Sequence, residues 1–149
     1  MTLALRILQW IARLALGVLF AYAGYVKVRE PFLFEMSVDS YQLFSPPVVI
    51  LIARTLPWLE IVLGLLLIVG WQLRYAASFT VLLLGGFLVA MFSAYARGVE
   101  ANCGCFGPGE PISPATLARD SGLFLCAVFL AVYSWKNHRA RRAAVHPVA

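Results

Sequence analysis

Four stretches of the chain are almost continuously apolar. They run from roughly Leu5 to Lys27, Pro47 to Gly70, Arg74 to Arg97 and Pro114 to Lys136. At about 1.5 Å per helical residue, each is long enough to cross a hydrocarbon core of roughly 30 Å. Within lipid the backbone must satisfy its own N–H and C=O groups, so each stretch predicts a transmembrane helix. The links at Val28–Pro46 and at residues 98–113 are long, and the link at Trp71–Arg74 is a tight turn. The first long link is not purely polar. Phe32, Leu33, Phe34, Tyr41, Leu43 and Phe44 predict a segment lying on or dipping into the membrane interface. The second long link ends at Ser113-Pro114, an N-cap residue followed by proline at the first helical position. The expected fold is an all-α membrane protein. It is an antiparallel four-transmembrane-helix bundle over residues 1–136, with an interfacial outer loop, a Cys-Gly-Cys loop between helices 3 and 4, and a basic tail over 137–149.

Composition agrees with this class. Hydrophobic residues make up 62% of the chain and charged residues 13%, against about a quarter charged in ordinary soluble domains. The net charge of +5 is concentrated in the tail Lys136-Asn137-His138-Arg139-Ala140-Arg141-Arg142. Such a tail reads as a topogenic and lipid-headgroup patch. No aromatic interleaving or recognition motif accompanies it, so nucleic acid is not an expected partner. An even number of spans puts both termini on one side, with Arg6, the Trp71–Arg74 turn and the tail. The positive-inside rule makes that side the cytoplasm. The two long links then face outward, into the oxidising periplasm if the membrane is a bacterial inner membrane. Ala21-Tyr22-Ala23 imitates a signal-peptidase site, but the apolar run continues past it, so the first span is expected to stay.

Three cysteines cannot build a disulfide framework. Cys103 and Cys105 flank Gly104 in the outer link, and Cys126 lies alone in the fourth span. Cysteines two apart can approach within the roughly 4.4–6.8 Å between Cα atoms that a disulfide requires. The ring is small and expected to be strained, and strained disulfides are the oxidising, labile ones. Gly104 and Gly107 let the chain bend there. A staple across so short a loop would add little stability, which favours redox chemistry over stapling. The more exposed cysteine is expected to carry the lower pKa and attack first. A zinc site would need four ligands, and the outer face offers two cysteines and no histidine, since His138 and His146 are in the tail. No metal is therefore expected. Cys126 reads as a small packing residue, or as a third thiol exchanging with the pair.

Ionisable groups inside spans are expensive and mark functional or structural positions. The candidates are Arg13, Arg54, Glu60, Arg119 and Asp120. Measured along their helices, Arg13 and Glu60 fall a few Å to the cytoplasmic side of the midplane, and Arg54 and Asp120 roughly 7 Å to the other side. Depth matching predicts the pairs Arg13–Glu60 and Arg54–Asp120. These pairs either hold the helices in register or bring Arg54 or Arg119 beneath the cysteines to favour a thiolate. Pro57 interrupts the second span, and Trp58 beside it suggests a weak pocket for a ring-shaped, lipid-soluble ligand such as a quinone.

Arg13-x3-Gly17-x2-Phe20-x3-Gly24-x2-Lys27, Pro57-x2-Glu60-x3-Gly64, Cys103-Gly104-Cys105-Phe106-Gly107 and Arg119-Asp120 together resemble the DoxX-like membrane proteins. Within them the chain is most similar to the MauE group linked to methylamine utilisation, over nearly its whole length. The resemblance implies a four-helix membrane bundle. It also implies a role beside periplasmic thioredoxin-like proteins, maturing disulfide-rich partners or handling thiol oxidants. Other relatives resemble the membrane subunit of a thiosulfate:quinone oxidoreductase.

The expected function is a membrane thiol–disulfide redox protein, or an electron-passing accessory, using Cys103 and Cys105 with a periplasmic partner and a quinone as electron carrier. The alternative is a non-catalytic assembly factor that docks a periplasmic redox protein. A small-solute carrier is disfavoured, because the chain shows neither inverted repeats nor two interrupted spans.

Overall fold

A computed structural model describes residues 2–106 and 109–145. Gly107, Pro108 and His146, on which the sequence reading drew, lie outside the described residues. Five helices follow in order: α1 Leu3–Arg29, α2 Pro31–Ser40, α3 Pro46–Val69, α4 Leu73–Ala96 and α5 Pro114–Val145. Four of them, α1, α3, α4 and α5, are long and apolar enough to cross a membrane. They are the four expected spans. Leu51, Leu65, Leu82, Val89 and Leu125 point outward, as they should on a bundle whose solvent is lipid.

Local sequence sets the helix ends. Ser45 precedes Pro46-Pro47 at the start of α3, and Gly70 closes it in the left-handed region at φ 78°. At the start of α5, the Thr116 N–H donates to Ser113 Oγ at 3.2 Å and the Ser113 N–H donates to Thr116 Oγ1 at 2.8 Å. This reciprocal cap replaces the helical bonds missing there. The far end of α5 differs from expectation. The helix runs through the tail to Val145 instead of stopping near Lys136, so the boundary drawn at residue 136 falls inside a helix. Arg139-Ala140-Arg141-Arg142-Ala143-Ala144 is made of strong helix formers and holds no glycine or proline to end it.

The main packing is between α1 and α3 and between α4 and α5. The α1–α3 seam runs over small residues. A Cβ on Gly24 would stand 2.6 Å from the Pro57 carbonyl oxygen, and one on Gly64 would stand 2.6 Å from the Ala21 nitrogen. Only glycine permits so close an approach of backbones. One core cluster joins all four spans through Leu16, Phe20, Leu67, Ala77, Leu84 and Leu130.

The interfacial segment is the short helix α2. It buries Phe34 and Val38 against Val49 and Ala53 of α3 and leaves Phe32 and Met36 exposed. In this way it roofs the end of the bundle that carries the loops.

Candidate functional site

The cysteine loop is a closed hairpin. The Cys103 N–H donates to Glu110 O at 2.7 Å, the Ile112 N–H donates to Ala101 O at 3.1 Å, and Asn102 pairs with Pro111 between them. The end of α2 clamps it from the side. The Tyr41 hydroxyl donates to Cys103 O at 2.9 Å, and the Asn102 N–H donates to Ser40 Oγ at 3.2 Å. Arg97 donates to Tyr41 O at 2.7 Å and secures the clamp. Gly104 takes φ +67°, a left-handed turn that suits glycine, with its Cα facing Ser37. Burial raises the pKa of Tyr41 far above the ordinary phenol value, with the two thiols and Asp120 adding to the effect, so it stays a hydroxyl donor.

Both cysteines of the loop are free thiols. Their sulfurs and a carboxylate oxygen of Asp120 lie within 4.8 Å of one another. Cys103 is 1% exposed and Cys105 half-buried. Cys103 Sγ is 3.5 Å from Asp120 Oδ2 and 3.6 Å from Arg119 Nη2. Arg119 is itself fixed: Nε donates to Asp120 Oδ1 at 3.0 Å, and Nη1 donates to the Glu110 carboxylate at 2.9 and 3.1 Å. Its guanidinium also covers the ring of Phe106 at 4.8 Å. The thiols are unequal. A hydrogen bond from the Cys105 thiol lowers the Cys103 pKa, outweighing burial and the Asp120 charge. Giving that hydrogen bond raises the Cys105 pKa strongly, and burial adds to the rise. The expected rule that the more exposed cysteine has the lower pKa is therefore reversed, because the donor between the sulfurs outweighs exposure.

Beneath the loop is a cavity of about 20 Å³, lined by Cys105, Phe106, Asp120 and Glu60 among others. That is room for about one water molecule. Its floor is an ion pair: Lys27 Nζ donates to both carboxylate oxygens of Glu60, at 2.6 and 2.8 Å, with both side chains almost fully buried. The rings of Phe34 and Phe87 lie 4.9 and 5.3 Å from the ammonium. Lys27 also draws the Cys105 pKa down, against the larger effects that raise it.

Neither depth-matched pair forms. Glu60 pairs with Lys27, which sequence reasoning left at the membrane edge, and Asp120 pairs with Arg119. Side chains lean toward the N-terminus of their own helix. Lys27 therefore leans into the membrane and Glu60, on an antiparallel helix, leans up to meet it. Arg13, on α1 like Lys27, also leans toward the N-terminus of that helix and so away from Glu60, to the terminal end, where it stacks on Trp10 at 3.8 Å and Nη2 donates to Ile68 O at 3.4 Å. Arg54 is exposed on the outer face of α3. Trp58 is 60% exposed on the same helix, whereas Glu60 faces the core, so these residues do not line one pocket. Cys126 packs against the four-span core cluster and stands apart from the group formed by Cys103, Cys105 and Asp120. Sequence reasoning missed Lys27, Tyr41 and Glu110 as site residues. Lys27 could have been found, because it continues the glycine-marked face of α1 just as Glu60 continues that of α3.

The fold and site define a polytopic membrane protein that presents two thiols, an arginine and a carboxylate at one end of a four-span bundle. The chain matches the family described as methylamine utilisation protein MauE over residues 5–133, and it belongs to that family. No curated protein and no solved structure gives a match.

Proposed function

We propose that the chain is a membrane-embedded thiol–disulfide redox protein that oxidises a thioredoxin-like or other disulfide-rich partner. The observation that carries this is a pair of free thiols in one loop, Cys103 buried and Cys105 half-buried, with Arg119 Nη2 3.6 Å from the Cys103 sulfur; the Cys103 pKa is lowered and the Cys105 pKa raised. In a Cys103–Cys105 disulfide, the accessible sulfur is Cys105 and the better leaving group is the Cys103 thiolate. A partner thiolate attacks Cys105, the Cys103–Cys105 bond breaks, and the electron pair leaves on Cys103. The partner's second thiolate then displaces Cys105. The partner departs as a disulfide and the loop is left as a dithiol. A quinone held near the loop would supply the acceptor for the two electrons and two protons that the dithiol must lose to become a disulfide again.

The Arg54–Trp58–Glu60 spot does not fit a quinone, because those side chains diverge. A better fit is the apolar groove of about 290 Å³ between α3 and α4, walled by Phe44, Leu56, Gly86 and Phe87. Tyr41 stands at its edge and hydrogen-bonds the loop. A quinone bound there would supply two-electron acceptance within the membrane; the chain's own part is to hold the loop above the groove.

At a bacterial inner membrane the positive-inside rule would put both termini in the cytoplasm and the thiols in the periplasm. The family's link to methylamine utilisation suggests an accessory task, the maturation of a disulfide-containing protein of that use. Impermeant thiol reagents should label Asp39→Cys and Glu100→Cys in intact cells and leave Ala143→Cys unlabelled; labelling of Ala143→Cys without lysis would reverse the orientation.

The chemistry is tested by trapping. Incubated with the oxidised partner, Cys103→Ser should accumulate a mixed disulfide, because the lone Cys105 thiolate attacks the partner's disulfide, the partner's other sulfur leaves as a thiolate, and no Cys103 is present to release the product; Cys105→Ser should accumulate none. Trapping on neither variant would leave the non-catalytic assembly factor standing. A second reading rests on the same cluster: two thiolates and the Asp120 carboxylate are three convergent donors for a soft divalent metal. Arg119 beside Cys103 opposes that cation. Stoichiometric zinc in the purified protein would favour it over redox cycling.

A further inference from the structure

At the opposite end of the bundle, the ends of α1, α4 and α5 and the α3–α4 turn line an open polar pocket of about 620 Å³. Arg13, Arg74, Arg141, His138, Gln9 and Asn137 line it, and no Asp or Glu does. All seven acids of the chain, Glu30, Glu35, Asp39, Glu60, Glu100, Glu110 and Asp120, belong to the other end or to the middle of the bundle. A cluster of three arginines with no carboxylate among them is self-repulsive unless an anion from outside joins it.

The arginines are held in place. Arg13 stacks on Trp10 at 3.8 Å, and Arg74 lies over Tyr75 and Trp135 at 4.5 and 5.2 Å and against the His138 ring. The chain makes room for Arg13: a Cβ on Gly70 would stand 2.5 Å from Arg13 Nη1, and Gly70 has the positive φ that suits glycine. Among the described residues Arg13 Nε is buried with no hydrogen-bond partner. Nor does any carboxylate among them pair with Arg13, so its charge is left for an oxyanion in the pocket that Arg13 lines. Trp71, largely exposed on the rim, sets the depth of the pocket at the membrane–water interface, where lipid phosphates lie.

We propose that this pocket binds a phosphate-bearing anion, with the arginines as its ligands. The shared chemistry is a tetrahedral oxyanion accepting from planar guanidinium forks. It can reach the pocket as the headgroup of an anionic phospholipid or as free phosphate. Basic pockets between transmembrane helix ends are suited to such headgroups.

Delipidated protein in a zwitterionic detergent tests the site. Phosphatidylglycerol, phosphatidylcholine and inorganic phosphate are titrated separately, and bound lipid is read by native mass spectrometry alongside the thermal midpoint. Phosphatidylglycerol should bind one to one and raise the midpoint, and phosphatidylcholine should do neither. Competition by inorganic phosphate would assign the site to free phosphate; its failure to compete would assign the site to the lipid. Arg13→Gln and Arg74→Gln should each weaken binding by about tenfold or more. Should either fail to fold, Arg141→Gln on the exposed rim should still weaken it while leaving the alkylation pattern of Cys103 and Cys105 unchanged. Equal binding of both lipids, or affinity unchanged in the arginine variants, would overturn the proposal.

Discussion

The two ends of this bundle treat charge in opposite ways. Around the cysteine loop the charges fall into two tied groups, Lys27 with Glu60 and Arg119 with Glu110 and Asp120, at 2.6–3.1 Å. At the terminal end lie Arg6, Arg13, Arg74, Lys136, Arg139, Arg141 and Arg142, with none of the chain's seven acids beside them. Next to the thiols the charges are paired internally, and this fixes the geometry around the two sulfurs. The terminal end leaves its charges open to whatever the interface brings. Reactivity needs the first arrangement, because a sulfur pKa is set by near neighbours held at fixed distance. Orientation and headgroup binding need only the second.

The largest test removes one member of the internal network. Glu60→Gln leaves Lys27 buried without its counter-charge, which in soluble proteins costs on the order of 3–5 kcal/mol. The thermal midpoint in detergent should fall sharply. Adding Lys27→Met to Glu60→Gln should recover much of the loss, because no buried charge then remains. Arg13→Gln should recover none of it. Rescue by Arg13→Gln instead would restore the depth-matched pairing that the geometry rejects.

A smaller effect sharpens the inequality of the thiols. With a lowered pKa, Cys103 is thiolate at a lower pH than an ordinary cysteine near 8.5, so its alkylation should have an acid-shifted midpoint. Cys105, with its pKa raised, should react only at more alkaline pH. Asp120 opposes the Cys103 thiolate by its charge. Asp120→Asn removes that charge and should move the Cys103 midpoint further down. The measurement is the pH profile of iodoacetamide labelling in a background carrying Cys105→Ser and Cys126→Ser, where the serine introduced beside Cys103 retains a hydroxyl donor. The midpoint, rather than the rate, is read, because a buried thiol reacts slowly at any pH. An upward shift in Asp120→Asn would mean that Asp120 acts mainly by holding Arg119 in place.

Much of this was legible in the sequence, and the reason lies in which patterns are periodic. Four spans follow from run length alone, and the start of α5 from Ser113-Pro114. The α1–α3 seam is written in Gly17, Gly24 and Gly64, whose spacing keeps one face of each helix bare. The charge pairing was not legible from depth, because a lysine side chain reaches several Å from its own Cα and leans by helix direction. Lys27 therefore lies at the edge by sequence and in the core by structure. Tyr41 was hidden for another reason: an aromatic residue in an interfacial segment reads as a membrane anchor, and nothing local marks its hydroxyl as the donor to Cys103 O, 62 residues away. The helical tail was hidden by its charge, which describes the surface it faces and not its backbone.

The smallest expected effect is the sharpest check on the contrast between the ends. Arg54 is the charge on the loop half of α3 that the internal network does not use. It is exposed beside the buried Ala53 and donates no hydrogen bond among the described residues. A long side chain in that position reaches along the helix to the headgroup region and keeps its charge wet. Arg54→Gln should then change the stability by no more than the roughly 0.5 kcal/mol typical of surface substitutions, and should leave the Cys103 alkylation profile where it was. Arg119→Gln, which removes a guanidinium 3.6 Å from the Cys103 sulfur, should alter that profile. If the two variants behaved alike, the loop end would no longer be a closed network, and its difference from the open terminal end would be one of sign only.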